Sequence, residues 1–179
     1  MSWPRLVTAI AFALVLSNSA LAQMKVRVGQ PQAGTFQFVA LQVATEVGIF
    51  KQHGIEVEIV SFGGGPRVQQ ALAAESIDIG IGSGPELAFV AKGAPETAVA
   101  AIADAPYSVV LAVPKDSAIR SPEDLKGKTI SISSKASLTD WLGQELSRQL
   151  GWGASGINLA PLGTTAAQMA ALKTRRSMA

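Results

Sequence analysis

No cysteine occurs anywhere in the 179 residues, and there is a single histidine. A chain without thiols has no disulfide framework, no thiol nucleophile, no thiolate metal site and no cysteine to carry a lipid. The lone imidazole, His53, stands before Gly54 at an expected helix end and reads as a capping or surface residue, since one ring makes neither a triad nor a metal centre. Charge is also sparse: 15 Lys and Arg against 13 Asp and Glu leave a formal +2. No basic stripe with interleaved aromatics marks a nucleic-acid face. The carboxylates are scattered, and no spacing among Glu46, Asp78, Asp104 and Asp140 identifies an acid–base pair. The expectation is a protein with no catalytic residues, no metal, no cofactor and no nucleic-acid partner.

What the chain does have begins at its N-terminus. Met1 to Arg5 carry positive charge, Leu6 to Leu16 form an apolar run broken only by Thr8, and Ala20-Leu21-Ala22 follows. This is the pattern of an export leader, and the run is too short for a bilayer core about 30 Å thick. Cleavage is expected after Ala22, which makes residues 1–22 a signal peptide. It leaves 157 residues (179 less the 22 of the leader), within reach of one core at about 100–150 residues per domain. With no lipid anchor, the expected compartment is the periplasm of a double-membraned bacterium.

Past the leader, Lys25-Val26-Arg27-Val28 alternates and stops at Gly29, as a short strand does. From Thr35 the apolar residues Val39, Val43, Val47 and Phe50 recur at helical steps, Gly54 makes a turn, and residues 55–60 alternate as a second strand. After Gly63-Gly64-Gly65-Pro66 a helix is expected through Val68 and Leu72, then a strand over 77–81 and a helix from Pro85 to Gly93. Residues 97–103, apolar and β-branched, read as a buried strand, and residues 107–113 as a further strand ended by Pro114. Ser121-Pro122 opens a one-turn helix ended by Gly127. A strand over 129–133, a helix over 138–150, a strand over 157–160 and a helix over 165–173 complete the series. Strands alternating with crossover helices predict an α/β fold with doubly wound, mainly parallel sheets, in which ligands sit beyond the carboxyl ends of the strands.

Two segments fit that location. Gly80-Ile81-Gly82-Ser83-Gly84-Pro85 runs from a strand into a helix, with glycines that let backbone approach a ligand and a hydroxyl at Ser83. Ser133-Ser134-Lys135-Ala136-Ser137-Leu138-Thr139-Asp140 repeats the arrangement, and Ser137 with Asp140 has the form of a capping box. For both, local sequence admits a ligand-facing turn and a plain capped turn alike. Gly63 to Gly65 is not a phosphate loop, because Pro66-Arg67 replaces the Gly-Lys-Ser/Thr that would follow. Trp141 and Trp152 are expected in or beside the core, where either could border a site.

The succession Ile77-Asp78-Ile79-Gly80, Ala91-Lys92-Gly93-Ala94-Pro95, Val113-Pro114-Lys115-Asp116-Ser117 and Asp124-Leu125-Lys126-Gly127-Lys128 resembles the solute-binding proteins of nitrate, sulfonate and taurine ABC importers. Ser137 to Leu142 and Ala170-Ala171-Leu172-Lys173 continue the likeness, which covers residues 25–173 in order. The resemblance implies a two-lobed type II periplasmic binding fold that closes on a small anionic or polar solute (a sulfonate, nitrate or a taurine-like molecule). The solute is delivered to a membrane permease without chemistry, and the complete protein is a monomer. It implies a first lobe over 23–107, an outward hinge crossing over 104–110, and a second lobe over 108–179. The contacts it implies fall on Gln32, Thr35 and Phe36 after the first strand, on Gly82 and Ser83, and on Ser134, Ser137 and Thr139. A member of that family continues after Leu172-Lys173, whereas this sequence reads Thr174-Arg175-Arg176-Ser177-Met178-Ala179. Both lobes are therefore expected to be incomplete, the second in part and the first in its returning strands. A truncated or frameshifted reading frame is the expectation.

Two other function classes share such a fold. A thiamine-pyrimidine-precursor enzyme would rely on a cysteine-rich motif, and the missing cysteines oppose it. A ligand-sensing domain would share the cleft, and a non-functional fragment would retain only part of it.

Overall fold

The computed structural model describes residues 23–105 and 107–174; the expected leader and the residues from 175 on lie outside the described residues. β1 (Met24–Gln30) is the centre of a three-stranded parallel sheet, flanked by β2 (Ile55–Ser61) and by β3 (Ile79–Gly80). Its register with β2 runs from Met24 opposite Ile55 to Gln30 opposite Ser61. The period-two pattern places Val28 inside, 3% exposed, while Lys25 and Arg27 stand on the other face and pair with Glu58 (2.8 Å) and Asp78 (2.7 Å). Parallel neighbours require crossovers. The first is a 3-10 turn at Phe36–Phe38, α1 (Val39–Glu46) and α2 (Ile49–Gln52); the second is α3 (Gly65–Ala73). Val68, Ala71 and Ile77 form the core under this sheet, with Phe62 and Leu72 packed against it.

A short helix, α4 (Leu87–Ala91), follows β3, and a second sheet comes later in the chain: β4 (Thr129–Ile132) pairs in parallel with β5 (Asn158–Pro161). The crossover is α5 (Leu138–Gln149), and α6 (Thr165–Lys173) follows β5. α5 comes close to the sheet because Gly143 has no side chain; a Cβ there would stand 2.6 Å from Leu159 Cδ2. The core of this half contains Ile119, Leu125, Ile130 and Ile157, with Val113, Leu146, Trp152 and Leu159 around it. Burying side chains of this kind stabilises by roughly 1.5–3 kcal/mol each. The one-turn helix forms as a 3-10 turn at Pro122–Leu125, with Asp124 Oδ2 accepting the N–H groups of Ser121 (3.0 Å) and Arg120 (2.8 Å). Among the described residues no helix is long and apolar enough to cross a membrane.

The structure departs from the sequence expectations in four places. The helix expected from Thr35 to Phe50 is divided, because Gly48 adopts a left-handed conformation (φ 78°) that ends one helix and admits the next. The strand expected over 77–81 pairs only at Ile79–Gly80. The helix expected from Pro85 begins at Leu87 and has five residues. The strands expected over 97–103 and 107–113 do not form: Val99, Ile102, Tyr107 and Val110 are 88%, 64%, 83% and 80% exposed. A strand apolar on both faces needs a layer on each side, and no described element covers this stretch.

Candidate functional site

The loops at the carboxyl ends of β3 and β4 face each other across a cleft of about 650 Å³. One wall is Ser83, Pro85, Ala88, Phe89 and Lys92; the opposite wall is Ala136, Leu138, Asp140, Trp141 and Gln144. Pro85, Ala88, Phe89 and Lys92, on and flanking α4, follow one another at steps of one, three and four residues as one helical face does, and Leu138, Trp141 and Gln144 repeat at three on α5. The walls are mainly apolar. Lys92 brings a cation, the Ser83 hydroxyl and Gln144 amide bring hydrogen-bonding groups, and Trp141 lies about half exposed.

Ser83 is held by its neighbours. Its N–H donates to Glu86 Oε2 at 2.8 Å, and Gln37 Nε2 donates to its hydroxyl at 3.5 Å. Glu86 is itself only 8% exposed. Its carboxylate lies against two glycines: a Cβ at Gly82 would be 2.9 Å from Oε2, and a Cβ at Gly65 would collide with Oε1. Gly82 itself is exposed.

On the second wall, a group of hydroxyls joins the end of β4 to the start of α5. Thr139 Oγ1 accepts the Ser133 N–H (3.0 Å) and lies 3.0 Å from Ser137 Oγ, to which Ser133 Oγ donates at 3.0 Å. Ser137 Oγ also donates to the Ser134 carbonyl (2.7 Å) and accepts the Asp140 N–H (3.4 Å). Ser137 is 3% exposed. Only one arm of the expected capping box forms, because the Asp140 carboxylate turns to the Ala136 N–H (2.9 Å), Gln144 Nε2 (2.9 Å) and Lys135 Nζ (3.3 Å). Ala136, with φ 59°, takes the left-handed conformation that brings its N–H to this carboxylate.

The sequence-predicted site residues are therefore dispersed. Ser83 lines the cleft. Ser137 and Thr139 spend their hydroxyls within the β4–α5 junction and are not among the lining residues. Ser134 Oγ is buried without a hydrogen-bond partner and abuts Gly64, where a Cβ would collide with it. Gln32 bridges the halves, donating from Nε2 to the Gly163 carbonyl (2.7 Å) and accepting from Thr165 Oγ1 (3.4 Å). Thr35 Oγ1 donates to the Gln32 carbonyl (3.4 Å), and Phe36 is 79% exposed. Sequence reasoning missed Glu86, Phe89, Lys92 and Gln144. The offsets 85, 88, 89 and 92 were a usable signal for one wall, whereas Glu86 owes its position to glycines at 65 and 82 that no local pattern connects to it.

A family model described as NMT1/THI5 like matches residues 35–175. No curated protein sequence matches the chain. Among solved structures, a protein of Bordetella bronchiseptica RB50 superposes with a TM-score of 0.64 at 21% identity, over 88% of this chain and 50% of that one. The periplasmic aliphatic sulphonate binding protein SsuA from Escherichia coli gives 0.53 at 26% identity, over 86% and 49%. The alkanesulfonate-binding protein SsuA from Xanthomonas axonopodis pv. citri, bound to MOPS, gives 0.59 at 24% identity, over 86% and 52%. The chain thus has the α/β fold of periplasmic binding proteins in partial form, and it spans about half the length of the proteins it matches.

Proposed function

The chain belongs to the NMT1/THI5 like family, and from that membership and the cleft we propose that it is a periplasmic solute-binding component of an ABC importer. In this reading it binds a small anionic or polar organic solute, performs no chemistry on it, and hands it to a membrane permease. The observation that carries the reading is the cleft between the carboxyl ends of β3 and β4, about 650 Å³ and walled by residues from both halves. That is the position in which open α/β sheets take ligands. Its mainly apolar walls suit the organic part of a solute, and Lys92 and Ser83 suit its charged or polar part. The kinship with sulfonate-binding proteins favours a sulfonate. Residues 23–107 and 108–179 would be the two lobes and residues 1–22 the cleaved leader, so the periplasmic protein should start at Gln23. Ser83 would contact the solute directly and Ser134 Oγ would gain a partner on binding. Ser137 and Thr139 would hold the second wall in shape, with Gln32, Thr35, Phe36 and Gly82 around the rim.

A thermal-shift screen of methanesulfonate, taurine, MOPS, nitrate and bicarbonate tests the proposal. A solute at 100 times its Kd stabilises by about 2.7 kcal/mol, a shift of several degrees for a domain of this size. The expected result is such a shift with at least one sulfonate, reduced in Ser83→Ala. No shift with any of the five, from a chain that unfolds cooperatively, refutes the proposal.

A further inference from the structure

The Gly82–Ser83 turn, which lies against the first turn of α3, is a place where a backbone N–H group could receive an anion, and a side chain of the chain itself already occupies it. Glu86 directs one carboxylate oxygen to the Ser83 N–H at 2.8 Å and seats the other against Gly65, the first residue of α3. Gly65 and Gly82 are the residues that make room for it, since a Cβ on either would meet the carboxylate. At 8% exposure the group is enclosed rather than swung out to solvent. A helix start stabilises one negative charge, and a second placed beside it meets like-charge repulsion with little water to screen it.

We propose that Glu86 is a specificity-determining residue of the cleft: its carboxylate fills the anion position of the glycine turn and so fixes which way round a solute binds. The inference rests on reading the cleft as a solute site. The anionic end of the solute is kept from the Ser83 N–H and turns toward Lys92, the cation of the same wall, which has no ion-pair partner among the described residues. What remains for the solute at the turn is the Ser83 hydroxyl. The turn therefore receives an uncharged or hydrogen-bond-donating part of the solute.

Sulfate is the probe that tests this without knowledge of the solute. In the unmodified chain, titration with sodium sulfate at constant ionic strength should leave the amide resonances of Ser83 and Gly65 in place. Glu86→Gln keeps an oxygen for the Ser83 N–H but removes the charge, and Glu86→Ala empties the position. Both should bind sulfate at least about tenfold more tightly than the parent, with the Ser83 and Gly65 amides now moving. The proposal is overturned if those amides move with sulfate in the unmodified chain, or if both folded variants bind sulfate no better than the parent. The resonance test on the parent stands even where a variant does not fold. Failure here is separable from failure of the proposed function, since that is read from organic solutes on the unmodified chain and this from sulfate.

Discussion

Ser137 and Ser134 are three residues apart at the same junction, and replacing each with alanine should have opposite consequences. Ser137 Oγ caps α5 by accepting the Asp140 N–H, donates to the Ser134 carbonyl, and receives the Ser133 hydroxyl, all at 3% exposure. Its loss is partly covered. Ser133 Oγ still has Thr139 Oγ1 at 3.1 Å, and the Ser134 carbonyl still receives the Ser137 N–H at 3.3 Å. What remains is the loss of the cap, about 1 kcal/mol, with a further fraction for the weakened hydroxyl group, so Ser137→Ala should cost about 1.5 kcal/mol. Ser134 Oγ has no partner to lose, and removing a buried unsatisfied hydroxyl should be neutral or slightly stabilising, within about 0.5 kcal/mol. Urea unfolding measures both. With m about 1–3 kcal/mol/M, Ser137→Ala should lower the midpoint by roughly 0.5–1.5 M at unchanged m, and Ser134→Ala should leave it in place or raise it. Solute affinity should then divide the other way, reduced in Ser134→Ala and retained in folded Ser137→Ala. A Ser134→Ala variant that unfolds earlier than Ser137→Ala would refute the account of this junction.

The acid limb of stability should carry the signature of Asp78. Hydrogen bonds from the Arg27 side chain and then its backbone N–H lower this carboxyl from 3.8 to about 2. A carboxyl depressed in the folded state contributes fully above its unfolded value and loses that contribution as pH falls from 3.8 through about 2. Asp78→Asn should flatten this part of a plot of urea midpoint against pH, and an unchanged slope would contradict the pairing. Trp141 should report solute entry, being about half exposed on the cleft wall while Trp152 packs beside the second core. A fluorescence change on addition of a bound sulfonate should disappear in Trp141→Phe, and its persistence would move the binding event elsewhere.

Period-two alternation located β1 and β2, and the Ser121–Pro122 start located the one-turn helix, because in each case short-range pattern and final packing agree. The stretch from 97 to 113 shows where that reasoning ends. An apolar, β-branched run states that a segment favours burial, and says nothing about whether a neighbour is there to bury it. The hydroxyls at 137 and 139 present a similar limit. Their place at a helix start was legible, but whether they face the cleft or one another depends on Ser133 and on the left-handed turn at Ala136. Glu86 is the extreme case, a helix-start carboxylate whose surroundings come from the α3 crossover at Gly65 and from the turn after β3 at Gly82.

The two apolar cores share no residue, and each is drawn from a continuous stretch of chain, one from 62–77 and the other from 113–159. Pairings inside each sheet close modest loops, whereas the Gln32–Gly163 hydrogen bond joins residues 131 apart. Loop closure costs more the longer the loop, and here it is repaid only once both ends are held in place. The two halves should accordingly assemble as separate cooperative units, with the contact between them forming last and opening first. Hydrogen exchange would then find the amides of β1 and β4 protected by their own halves, and the Gly163 region governed by an easier event, the parting of the two units.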